Sequence, residues 1–251
     1  RANDIVLGLA GFLQVASTLA SRRKPQWLRE AAAVAVDELV RRAEPTSIGG
    51  MWWTAPDGTW MTGISHGSAG IVRSMLAADR AFDLQVPADL MQAAREFEDR
   101  MRDPATGAWN HSLHPETGVI EPPWCTWCHG APGITLSYLA EFALTGNPRA
   151  EIAALEAGRL NLETDRTGMT SICCGQMGRA LCLLEAGRSL GRPRWVSTAR
   201  EWMLEAACVP DDPLPNPTLF KGVAGLGAGL LGEDAFMGAN LIPWFGTEDW
   251  G

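Results

Sequence analysis

The segment WCTWCHGAPGI, residues 124–134, decides the fold and the chemistry that we expect from this chain. It places thiols directly in front of a glycine turn, and a mostly apolar run over residues 134–144 follows and predicts a helix. Cys128 comes two residues before the turn that opens this helix. Because a helix N-terminus carries unsatisfied N–H groups and a partial positive charge, it stabilises a thiolate at this position.

A second pair of thiols stands at the same kind of turn in the segment SICCGQMG, residues 171–178. Adjacent thiols at one turn, with a third thiol at an equivalent turn, are difficult to explain by packing. Clustered cysteines in a chain of this length without a secretory signal indicate a metal or catalytic site more often than disulfides. We therefore expect the two segments to meet around one metal ion.

The turn itself is repeated. A Gly-x-x-Gly motif followed by small or apolar residues begins at positions 8, 67, 130, 175 and 222. Amphipathic helices are predicted between the copies, over residues 25–43, 87–101, 147–160 and 193–208, the third with Asn147 as its N-cap. Apolar helices covered by amphipathic ones predict an all-α fold, an α/α-toroid with an inner and an outer ring.

In such a toroid the inner helices run parallel, so their N-termini gather at one mouth. The residues that precede the glycine turns should line that mouth: Asp4, His66, Cys128, His129, Cys173 and Cys174. A carboxylate, imidazoles and three thiols at one opening are the groups that metal-assisted or acid–base catalysis requires.

Each of these residues also has a purely structural interpretation. Asp4 is a possible helix N-cap, and His66 a possible capping or core histidine. A lone Cys128 could be a small core residue. Two further cysteines, Cys182 and Cys208, fall within predicted helices and are expected in the core. His111 and His114 are expected in a solvated polar loop.

Two metal sites are compatible with the thiol spacing. Cys128, Cys173 and Cys174 would hold a zinc ion with one open ligand position, as catalytic zinc sites do. With Cys125 as a fourth ligand the site would be closed and structural. The open site predicts an enzyme, and the closed site predicts a protein without catalytic activity at the metal.

Composition excludes several classes of protein. The chain has 251 residues, 46% of them hydrophobic, with a net charge of −8 and a pI near 5.0. This acidity argues against a nucleic-acid-binding surface. The uncharged run over residues 5–21 is short and interrupted by glycines, so we expect a buried helix and not a membrane span. No linker divides the chain, and we expect one domain over residues 1–251, located in the cytoplasm.

Five motifs in order resemble the LanC-type lanthionine cyclases. They are the segments NDIVLGLAG (3–11), SHGSAGI (65–71), WCHGAPGI (127–134), CCG (173–175) and KGVAGLG (221–227). Further details are similar to the cyclase domain of class II lanthipeptide synthetases, the LanM proteins. Cys174 stands where most members have His, which resembles a class II subgroup with three-cysteine zinc sites.

The resemblance implies an α/α-toroid around one catalytic Zn²⁺ held by Cys128, Cys173 and Cys174. It implies that a cysteine thiol of a dehydrated precursor peptide adds to a dehydroalanine or dehydrobutyrine of the same peptide and closes a thioether ring. His66 and Asp4 are expected to transfer protons, and Trp127, His129 and Lys221 to contact the substrate. It also implies helix pairs and a dehydratase domain upstream, so that this chain would be a cyclase domain incomplete at its N-terminus.

Three other functions remain open on the sequence. The chain could be a zinc-stabilised helical scaffold that binds a peptide or protein without catalysis. It could be a LanC-like enzyme that adds glutathione to dehydroamino acids. Prenyl transfer on a similar toroid is a further alternative, although this sequence lacks the Asp and His zinc ligands that are expected in such enzymes.

Overall fold

The computed structural model describes residues 2–166, 168–208 and 217–231. These residues divide into two compact units, Arg1–Trp124 and Cys125–Gly251. Each unit consists of helical hairpins in which an apolar helix follows a glycine turn and an amphipathic helix packs on it. The predicted alternation of helices is therefore present in both units.

The first unit contains four helices and five short strands among its described residues. The helices are α1 (Leu9–Ala20), α2 (Gln26–Arg42), α3 (Ser68–Phe82) and α4 (Ala88–Arg100). The strands are β1 (Glu44–Pro45), β2 (Met51–Trp52), β3 (Trp60–Met61), β4 (Asn110–His114) and β5 (Val119–Pro123). Helix α1 packs against α2 and α3, and α3 packs against α4.

The named elements among the described residues of the second unit are all helices. It comprises α5 (Ala131–Thr145), α6 (Pro148–Glu163), α7 (Gln176–Ser189), α8 (Pro193–Cys208) and α9 (Val223–Leu231). Helix α5 pairs with α6 and α7 with α8, while α7 also contacts α5 and α9. The Asn147 side chain accepts a hydrogen bond from Arg149 N at 3.1 Å, so the predicted N-cap of α6 is confirmed.

A steric constraint explains the Gly-x-x-Gly repeat. In four copies, a Cβ on the second glycine would overlap the carbonyl oxygen of the residue six positions earlier. The glycine–carbonyl pairs are Gly11 with Ile5, Gly70 with Ile64, Gly178 with Ile172 and Gly225 with Leu219. The chain must fold back on the first turn of the inner helix, and only a residue without a side chain permits this approach. The residues just before each glycine turn are thereby held at the helix N-terminus.

The short strands are a feature that the all-α prediction did not include. Strands β3, β4 and β5 form an antiparallel sheet in that order, and β1 pairs with β2. Leu113 of β4 lies in an apolar core with Trp52, Phe97 and Met101. None of the strands exceeds five residues, which is too short for an alternating pattern to stand out in the sequence.

The sheet corrects the expectation for two histidines. His111 and His114 lie on β4 and not in a polar loop, and His111 is buried. His111 Nδ1 is 2.8 Å from Glu121 Oε2, and His114 Nε2 is 3.2 Å from Glu121 Oε1. Hydrogen bonds to His111 and then His114 lower the pKa of the Glu121 carboxyl group. This shared carboxylate joins β4 to β5.

Two expectations of burial were wrong. Cys208, at the end of α8, is exposed, whereas Cys182 is buried as expected. Helix α1 is buried on one side only, and Phe12, Val15 and Leu19 on its other side are exposed. Within the described residues, none of the helices is both long and apolar enough to cross a bilayer.

A buried arginine fastens the end of α6 to α7. Arg179 donates hydrogen bonds to Asn161 Oδ1 at 3.0 Å and to the backbone oxygens of Asn161, Thr164 and Asp165. These carbonyl groups belong to the last turn of α6 and the residues after it, where no further helical N–H is available. Arg179 therefore caps α6 and fixes where the chain leaves that helix on its way to the 171–178 turn.

The glycine constraint can be tested within one helix. Gly225→Ala would place a methyl group against the Leu219 carbonyl, whereas a Cβ at Gly227 meets open space. We expect Gly225→Ala to lower the free energy of unfolding by about 1–3 kcal/mol or more. Gly227→Ala should raise it by up to about 1 kcal/mol through helix propensity. Urea unfolding followed by circular dichroism measures both, and equal effects would contradict the steric explanation.

Candidate functional site

Three thiols come together in the second unit. Cys128 lies before α5, and Cys173 and Cys174 lie directly before the glycine that opens α7. Their Sγ atoms all lie within 4.8 Å of one another, with 3.5 Å between those of Cys128 and Cys174. The segments that the sequence singled out are therefore adjacent in space.

Backbone hydrogen bonds between successive turns hold this arrangement. The N–H of Cys128 donates to the carbonyl oxygen of Cys173 at 3.2 Å, and the N–H of Cys173 donates to the carbonyl oxygen of Phe220 at 2.8 Å. All three residues stand two positions before the first glycine of their turn. The turns before α5, α7 and α9 are thus joined in register through equivalent residues.

Thr126 organises the loop that carries Cys128. Its hydroxyl oxygen accepts from the N–H of His129 at 3.1 Å and lies 3.0 Å from the carbonyl oxygen of that residue. The same hydroxyl is 3.3 Å from the Cys128 Sγ. Thr126 was not among the residues predicted from the sequence to shape the site. Its place between the two cysteines of the C-x-x-C loop could have indicated this role, because Ser and Thr hydroxyls hydrogen-bond to nearby backbone groups in turns.

Cys125 is not one of the clustered thiols. The group of three that could hold a metal ion is Cys128, Cys173 and Cys174 within the described residues. Burial raises the pKa of the Cys125 thiol, and the Arg179 guanidinium and Thr164 act in the opposite direction. This geometry supports the open three-thiol site over the closed four-thiol site.

The proximity of the three thiols shifts the pKa of each of them. Hydrogen bonds from Cys128 and Cys173 lower the pKa of the Cys174 thiol to about 3, and the charges of Lys221 and His129 act in the same direction. Hydrogen bonds to Cys173 and Cys174, with burial, raise the pKa of Cys128 far above its usual value. The hydrogen bond with Cys128 lowers the pKa of Cys173, but the one with Cys174 and burial outweigh it and raise that pKa to about 11. Three thiols this close cannot all ionise unless a positive charge lies nearby.

The donor set fits a zinc ion. Three thiolates are ligands that zinc prefers, and tetrahedral Zn–S bonds of about 2.3 Å separate sulfur atoms by roughly 3.8 Å. The sulfur separations in the cluster are compatible with this spacing. A dication would also remove the conflict among thiols that cannot all ionise on their own.

Asp4 and His66 come together in the first unit. His66 Nδ1 lies 3.0 Å from Asp4 Oδ2, and Asp4 Oδ1 accepts from Leu7 N at 2.6 Å. The Asp4 side chain is 2% exposed and that of His66 28%. Helix α1 has Gly8 as its N-cap, so Asp4 does not cap that helix and instead closes the turn before it. An ionised carboxylate only accepts hydrogen bonds, which places the hydrogen on Nδ1 and leaves Nε2 as the basic atom of a neutral ring.

The three residues expected to contact substrate differ in exposure. Trp127 is buried, stacks on Phe220 with ring centroids 5.1 Å apart, and packs its Cβ over Gly178. His129 is half-buried and Lys221 is exposed. Trp127 therefore packs in the core of these turns, and its contact with a substrate stays a prediction.

Comparison with known proteins identifies the family. The family model described as lanthionine synthetase C-like protein matches residues 1–232. No curated protein sequence matches the chain. Among solved structures, the chain is similar to one titled nisin cyclase, with a TM-score of 0.68 and 15% sequence identity over 99% of this chain. The chain spans 66% of the length of that protein.

The structural likeness concerns the fold, and it confirms the predicted fold class, the helical hairpins of an α/α-toroid. The family match agrees with the five motifs that run in order along the sequence. The chain belongs to the family of lanthionine synthetase C-like proteins.

Proposed function

We propose that the chain is a zinc-dependent lanthionine cyclase. The observation that carries the proposal is the cluster of three cysteine thiols, all within 4.8 Å of one another, in a member of this family. In the reaction, the sulfur of a peptide cysteine bonds to the β-carbon of a dehydroalanine or dehydrobutyrine. The thiol gives up its proton, the carbon–carbon double bond becomes a single bond, and the α-carbon takes up a proton.

Cys128, Cys173 and Cys174 would hold one zinc ion through their Sγ atoms. A bound zinc ion would lower the pKa of a substrate thiol and present its sulfur as a nucleophile. The backbone hydrogen bonds among the turns, with Thr126 against Cys128, fix the ligand sulfur atoms before any metal arrives. Such preorganisation reduces the cost of assembling the site.

His66 is proposed to carry protons. The buried Asp4 carboxylate orients the ring and favours a hydrogen on Nδ1, so Nε2 takes up or delivers the second proton. The addition requires a proton to leave sulfur and one to reach carbon, and a histidine suits both steps near neutral pH.

The proposed substrate is a dehydrated precursor peptide, with His129 and Lys221 as its contacts. The three-cysteine set favours the class II type of cyclase, and linkage to a dehydratase domain stays a prediction. Addition of glutathione to dehydroamino acids uses the same chemistry and is the alternative enzyme. The scaffold alternative requires a closed site, and the position of Cys125 outside the group of clustered thiols argues against it.

Zinc content tests the ligand assignment. We expect the Cys128→Ala, Cys173→Ala and Cys174→Ala variants to lose stoichiometric zinc, because each removes one of three thiolates. Cys125→Ala is the matched control and should keep its zinc, since that thiol lies outside the cluster. Elemental analysis and X-ray absorption measure content and ligands. Four sulfur ligands in the substrate-free protein, or loss of zinc from the control, would show a closed site instead.

Cyclisation kinetics test the role of His66. His66→Ala should keep its zinc and slow ring closure of a dehydrated peptide on the order of 10²–10⁴-fold. Asp4→Asn should also slow it, because an amide no longer fixes the imidazole tautomer. The control is His114→Ala, which removes another carboxylate-paired histidine. Free-thiol counting follows the reaction, and an unchanged rate or lost zinc in His66→Ala would refute the assignment.

A further inference from the structure

The turn before α9 gives Lys221 the same position that Cys174 occupies in its own turn. Each directly precedes the first glycine, as His129 also does. The hydrogen bonds from Cys128 N to Cys173 O and from Cys173 N to Phe220 O join these three turns through the preceding residues. His129, Cys174 and Lys221 therefore occupy equivalent positions on three turns that are hydrogen-bonded in succession.

Lysine is an unusual choice of cation in this chain. Of its 21 Lys and Arg residues only Lys24 and Lys221 are lysines. An ammonium group is a compact point charge on a flexible stem, whereas a guanidinium is planar and suited to fixed bidentate contacts. Lys221 is exposed and directly follows Phe220, whose carbonyl oxygen accepts a hydrogen bond from Cys173 N at 2.8 Å. A positive charge is thus carried by the turn that is bonded to the turn of Cys173 and Cys174.

The charge balance of the site shows what this cation can do. Three thiolates around a dication leave one negative charge, and a substrate thiolate brings the total to two. The second charge is unfavourable in a half-buried site unless a positive group lies nearby. We propose that Lys221 offsets this charge and so determines how tightly the site takes up a substrate thiol as its thiolate. This inference rests on the proposed zinc-cyclase function.

The test measures thiol binding without catalysis. The full chain is loaded with Co²⁺ as a coloured substitute for zinc, and N-acetylcysteine methyl ester is titrated at pH 7 while sulfur-to-cobalt absorption is recorded. This probe has one thiol and no other charge. Lys221→Met should weaken binding about tenfold, the size expected of a unit charge acting across roughly 10 Å at an effective dielectric constant of about 20. Lys221→Glu should weaken it further.

Further variants separate the effect of charge from the effect of side-chain shape. Lys221→Arg keeps the charge and should bind the thiol like the unchanged chain, and Lys24→Met is the control for loss of a lysine elsewhere. Lys221→Gln provides the same comparison if methionine disturbs folding, which circular dichroism detects. Cobalt content should be equal in all variants because none removes a ligand.

The outcomes distinguish the two proposals. Equal thiol affinity in Lys221→Met and the unchanged chain, with cobalt bound, would overturn the role of Lys221 and leave the cyclase proposal standing. If Lys221→Arg and Lys221→Met weaken thiol binding equally, the proposed role of the Lys221 charge is overturned as well. Failure of the unchanged chain to bind cobalt or zinc would refute the metal site, and the role of Lys221 with it.

Discussion

The close approach of a glycine to a backbone carbonyl six residues earlier underlies the whole arrangement. It recurs at Gly11, Gly70, Gly178 and Gly225, always on the first turn of an apolar helix. Because the chain folds back so tightly, the intervening residues are held at the helix N-terminus with their backbone groups available to the neighbouring turn. A side chain at any of these glycines would open the turn and move the residue that it presents. The packing of the turns and the placement of the residues before them thus both depend on the absence of a Cβ atom at these glycines.

The thiol cluster shows what such turns can carry. Three sulfur atoms within 4.8 Å of one another form an unfavourable arrangement for three ionisable groups, and their pKa values diverge as a result. The fold imposes the arrangement through backbone hydrogen bonds that do not involve the sulfur atoms. An arrangement that costs energy by itself and suits a dication is the mark of a functional site. The Asp4–His66 pair follows the same logic, since a buried carboxylate orients a more exposed imidazole.

Contacts away from the glycine turns hold the segments that lead into these sites. Arg179 caps the end of α6 and thereby fixes the start of the loop that leads to Cys173 and Cys174. In the first unit, the sheet of β3, β4 and β5 shares an apolar core with α4. Both features join segments distant in sequence. Their effect is structural.

The sequence by itself determined the helices, their order and the thiols that belong together. Glycine spacing, helix caps and apolar periodicity are local signals, and the 193–208 helix and the Asn147 cap follow from them directly. Tertiary structure alone decided that Cys125 lies outside the thiol cluster, because C-x-x-C spacing permits either arrangement. It also decided that His111 pairs with Glu121 on a short strand, and that one side of α1 is exposed. Strand pairing and burial depend on residues far apart in the chain, so no local pattern could have fixed them.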